Sequence, residues 1–71
     1  SMKGFDRAYA AIPDIERLSP DQRRLLREGL IRHAEHLQDS GQLDSARVVM
    51  GLGAEHFSKN PEYNALLRDL N

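Results

Sequence analysis

The chain has 71 residues, no cysteine, and 10 Lys+Arg against 11 Asp+Glu for a net charge of −1. That length allows one domain with a marginal core, burying about 60% of its unfolded surface, and the lack of cysteine excludes disulfides and thiolate metal sites. The charge balance lacks the basic excess from which nucleic-acid binders draw most of their affinity, and no apolar run approaches the roughly 18 residues of a membrane span.

The opening Ser1-Met2 reads as the remnant of a cleaved tag before a start methionine, so Ser1 is left out of the fold reasoning. Phe5, Ala8, Tyr9 and Ile12 then recur at spacings of three and four, which predicts a first helix over about residues 4–11. Pro13 ends it, because a residue before proline avoids the helical region. Ile15 and Leu18 are expected to pin the connection to the core.

The clearest helix start is Ser19-Pro20-Asp21-Gln22. Serine can accept from the amide of the third helical residue, Pro20 suits the first helical position, and Gln22 completes a capping box. The clearest stop is Ser40-Gly41, where glycine can take the left-handed conformation. Between them lies a long helix over about residues 20–39, with Leu26, Leu30, Ala34 and Leu37 on one stripe. Leu25 and Gly29 are expected to widen that stripe on one side.

A helix over about residues 43–58 follows, with a main stripe of Leu43, Ala46, Met50, Gly53, Ala54 and Phe57. A second apolar pair, Val48 and Leu52, sits on nearly the opposite side. A helix that is apolar on two faces must be sandwiched, within the chain or against another molecule. Asn60-Pro61-Glu62 starts a closing helix over about residues 61–70, with the stripe Tyr63, Leu66, Leu67 and Leu70. No alternating strand pattern occurs. The expected fold is all-α: a small bundle of about four helices, in one domain over residues 2–71, round a central antiparallel helical hairpin.

Several features could carry chemistry. The triplet Ala-Glu-His occurs at residues 34–36 and again at residues 54–56. In an antiparallel hairpin, His56 would lie roughly 9 Å or more along the axis from His33. Zinc ligands must converge within about 2.1 Å of one point, so the triplets are not halves of one site. His33 and His36 are three apart, where the usual helical metal pair is four apart. Gly51-Leu52-Gly53 is mid-helix, not the strand-to-helix loop that cradles phosphate. There it predicts close approach of a neighbouring helix at Gly53, with Gly29 nearly level with it. No catalytic residue, metal or cofactor is expected, and the chain reads as a non-enzyme.

Residues 30–57, LIRHAEHLQDSGQLDSARVVMGLGAEHF, carry Ala34, Leu37, Gly41, Ala46, Met50 and Gly53 at set spacings across a helix-turn-helix. In this the segment resembles a tetratricopeptide repeat. Leu30 stands where that family often has tryptophan, His33 where it usually has leucine, and Pro61 comes about three residues late. The resemblance implies an α-hairpin of the kind that binds peptides or partner proteins.

The expected function is therefore a protein-interaction module or adaptor, self-associating as a dimer or docking to a larger protein. Val48, Leu52, Phe5, Tyr9, Leu66 and Leu70 are the candidate partner-binding residues. The alternative is a small nucleic-acid-binding regulator using Arg23, Arg24 and Arg27 on one sector of the long helix. A cysteine-free chain is compatible with a reducing compartment, so a cytoplasmic location is expected.

Overall fold

A computed structural model describes residues 12–71. Among these the protein is all-helical: a 3-10 helix at Ile12–Arg17, then α1 (Pro20–Asp39), α2 (Leu43–Phe57) and α3 (Pro61–Leu70). The first helix expected over residues 4–11, with Phe5 and Tyr9, lies outside the described residues. The described part therefore shows three α-helices rather than four.

The local signals form the caps they encode. The Ser19 hydroxyl accepts from the Gln22 amide at 3.1 Å, and the Gln22 side chain accepts from the Ser19 amide at 2.9 Å. Two amides that a helix start leaves without partners are thereby satisfied reciprocally. The Asn60 side chain accepts from the Tyr63 amide at 3.0 Å and opens α3 in the same way. At the end of α1, Gly41 takes φ +77°. Its amide donates to the Gln38 carbonyl at 3.0 Å, and the Gln42 amide to the Leu37 carbonyl at 2.8 Å. This paired bonding is a Schellman motif, which closes carbonyls the helix would otherwise leave open.

A side chain at Gly41 would strain that left-handed conformation. Gly41→Ala should cost about 1–2 kcal/mol. At about 4–8 °C per kcal/mol for a domain this small, thermal denaturation would show the loss clearly. An unchanged midpoint would mean that the turn tolerates another conformation.

The connection before α1 was expected only to anchor the core. It does so as a 3-10 helix, kinked at Asp14 (φ −98°, ψ 20°) and closed by the Leu18 amide donating to Ile15 at 3.1 Å. Ile12 and Ile15 are buried and Leu18 packs partly beneath the same core.

That core joins Leu30, Ile31, Ala34 and Leu37 of α1 to Ala46, Val49, Met50 and Phe57 of α2 and Tyr63, Leu66 and Leu70 of α3. The most extensive contact is between α1 and α2; α3 packs chiefly on α2 and less on α1. Several expectations are corrected here. Leu25, expected to widen the α1 stripe, is 59% exposed, and Gly29 is exposed too. Ile31, on the opposite edge, is buried instead. The cause is the placement of α3: Ile31 and Glu62 of α3 line one shared depression, so that edge of α1 is the one covered. On α2, Val49 is buried and Leu43 is exposed, so the buried face is rotated away from the first-turn leucine.

Candidate interaction surface

Apolar side chains left exposed among the described residues are the strongest structural lead. Of the four large hydrophobic residues exposed among the described residues, Leu25 stands alone on α1 and Leu43 begins α2. Val48 and Leu52 form a pair, 44% and 39% exposed. They are one turn apart, so both project from one side of α2. Gly51, also exposed, lies between them and leaves the backbone bare. Ser45 and Glu55 continue the same side at spacings of three and four.

The opposite side of α2 packs into the core through Ala46, Val49, Met50, Gly53 and Phe57. A β-carbon built at Gly53 would lie 2.8 Å from a Leu30 methyl, 2.8 Å from the Tyr63 hydroxyl and 2.9 Å from the Phe57 ring. The close approach expected at Gly53 is therefore present, and it is made by side chains. Gly29 takes no part, since a β-carbon there would meet nothing within 4 Å. The Tyr63 hydroxyl is buried and donates to the Met50 main-chain carbonyl at 2.5 Å. Its ring packs against Phe57 at 5.6 Å between centroids. Arg47 fastens the far end of α3: its Nε donates to the Leu70 carbonyl while Nη1 pairs with Asp44 at 2.8 Å.

This arrangement divides the expected partner-binding residues. Val48 and Leu52 are on the surface, as their position opposite the core stripe implied. Leu66 and Leu70 are 8% and 3% exposed and belong to the core, so they are withdrawn from the candidate surface. The reason is that α3 has a single apolar stripe, and packing on α2 and α1 uses all of it. Phe5 and Tyr9 lie outside the described residues.

Two of the α1 arginines, Arg23 and Arg24, are held by contacts within the chain. Arg24 sits between Asp21 and Glu28, each at 3.4 Å. Arg23 donates to the carbonyls of Leu18 and Glu16, at 3.3 and 3.4 Å, tying α1 back to the preceding turn. Arg27 is half-buried, and its Nε finds no acceptor among the described residues.

His36 and His56 are exposed and His33 is half-buried. Burial lowers the pKa of His33 below the ordinary histidine value, and the neighbouring charge of His36 adds to the effect. Among the described residues no group of three or more His, Asp or Glu side chains could hold a metal ion. An open depression of about 190 Å³ is lined by Glu28, Ile31, Arg32, Glu35 and Glu62, and its three carboxylates are not such a group. No described helix is long and apolar enough to cross a membrane.

No protein-family model matches this chain, and neither a curated protein nor a solved structure matches it.

Proposed function

We propose that this protein is a non-catalytic interaction module that docks to protein through the outward side of α2, with Val48 and Leu52 as its apolar centre. The observation that carries the reading is that these two residues stay exposed, one turn apart, on a helix whose opposite side buries Ala46, Met50, Gly53 and Phe57. Apolar side chains gathered on a surface mark a place where another protein removes them from water. The scaffold behind them is a proposed antiparallel hairpin of α1 and α2. A short connection at Gly41 and the packing of Leu30 against Gly53 support it. The likeness to a tetratricopeptide hairpin enters on the same footing. Its small and large positions Ala34, Leu37, Ala46, Met50 and Gly53 are all buried. A cytoplasmic setting belongs to the proposal as well, since a chain without cysteine is compatible with reducing surroundings. The arginine side of α1 is not carried forward, because Arg23 and Arg24, two of its three cations, already face main-chain carbonyls and carboxylates.

The test uses a photoreactive amino acid placed at Val48 in the full chain, in its native cells. Crosslinking to one defined protein is expected, whether a second copy or a different partner. Leu52→Glu should abolish that crosslink while helical circular dichroism is retained and stability changes by no more than about 0.5 kcal/mol, as for other surface substitutions. The same probe at Glu35, exposed on α1, should give no comparable product. Absence of any defined product at Val48 would overturn the reading. So would a Leu52→Glu chain that unfolds, because Leu52 would then be part of the core.

A further inference from the structure

The outward side of α2 has the pattern of a short coiled-coil seam, and we infer that its occupant is the same helix of a second copy, in antiparallel pairing. This deepens the proposed docking role and rests on it. Ser45, Val48, Leu52, Glu55 and Lys59 follow one another at spacings of three, four, three and four. That alternation keeps a single stripe facing a partner helix. Lys59 lies just beyond the last turn, and both it and Glu55 are exposed.

A two-fold axis brings residue i of one copy to residue j of the other, and j to i. An antiparallel alignment with Val48 opposite Leu52 of the second copy forms two equivalent apolar layers at the centre. The flanking layers then match in chemistry. Ser45, a hydroxyl donor, falls opposite the Glu55 carboxylate of the second copy. Asp44, at the opening end of the helix and paired with Arg47 through one oxygen, comes within reach of Lys59 of the second copy through the other. Asp44 and Lys59 of a single chain are separated by about 22 Å along the helix, so they cannot pair with each other. Gly51 falls near the axis, where the missing side chain lets the two backbones approach. Parallel pairing would instead set Glu55 beside Glu55 and Lys59 beside Lys59, like against like. The charge pattern therefore selects the antiparallel form. With two apolar residues per copy at its centre, the contact belongs to the small, transient class of interfaces.

The absence of cysteine allows a direct test in the full chain. Sedimentation equilibrium should show a mass rising from 8.1 kDa towards twice that value as concentration increases from about 10 μM to 1 mM, the range of a transient contact. Leu52→Glu should remain at the monomer mass throughout while keeping its helical dichroism. Separately prepared Val48→Cys and Leu52→Cys chains, mixed in equal amounts under a glutathione redox buffer, should form the mixed disulfide in clear excess over the one-half expected from random pairing.

A chain that stays monomeric to about 1 mM, where a dimer with a Kd of about 1 mM would already be substantially formed, would overturn the inference, as would random or like-with-like disulfides. If the purified chain is monomeric and the Val48 photoprobe still captures another protein, self-pairing fails and the docking role stands. If the probe captures nothing, both fail.

Discussion

Gly53→Leu should lower stability by about 3 kcal/mol, the upper end of overpacking costs, although leucine is the better helix former by nearly 1 kcal/mol. The first added carbon already falls within 2.9 Å of three side chains, those of Leu30, Tyr63 and Phe57. Each of those is buried, and none can move without disturbing a second element. The remaining atoms of leucine have no free volume, so α3 or α1 must shift away from α2. For a domain of this size the loss corresponds to a fall in melting temperature of more than about 12 °C. The internal control is Gly29→Ala, at an exposed mid-helix position where a β-carbon meets open space. Substitution there should raise stability by roughly 1 kcal/mol. Opposite signs at two helical glycines would separate propensity from packing. A Gly53→Leu protein as stable as the parent would show that the three helices do not meet at this point.

Tyr63→Ala should cost about 3–5 kcal/mol, the range for deleting a buried aromatic ring. Tyr63 is fully buried, fills the junction of α2 and α3, and joins them by its hydrogen bond to Met50. Small domains have total stabilities near the low end of about 5–15 kcal/mol, so the variant should be largely unfolded or have lost α3 from the core. Tyr63→Phe isolates the hydroxyl. It should cost only about 0.5–1.5 kcal/mol, because the Met50 carbonyl keeps its place in the helix ladder. Removing that hydroxyl also clears one of the three contacts that crowd Gly53. Tyr63→Phe combined with Gly53→Ala should therefore cost less than the two changes summed, by at least about 0.5 kcal/mol. Urea denaturation of the four members of the cycle measures the coupling. Strict additivity would mean that the hydroxyl and the glycine do not share that space.

The helix boundaries were determined by the sequence alone, because caps and turns act over three or four residues. Ser19 with Gln22, Gly41 with its positive φ, and Asn60 before Pro61 place both ends of α1 and the start of α3 within about one residue. Periodicity likewise separated Val48 and Leu52 from the buried side of α2, since about 150° of rotation divides the two faces. The special role of Gly53 could also be read, because a mid-helix glycine needs a reason. What the sequence could not settle was decided by where α3 lies. The flanks of an apolar stripe look alike locally, and only a third helix covers one and leaves the other in water. That choice buried Ile31 and exposed Leu25. It likewise drew Leu66 and Leu70 into the core, and it brought the Tyr63 hydroxyl to Met50 and Arg47 to the last carbonyl of α3. These contacts join residues far apart in the chain, and their partners are selected by the packing of whole helices rather than by any neighbouring residue.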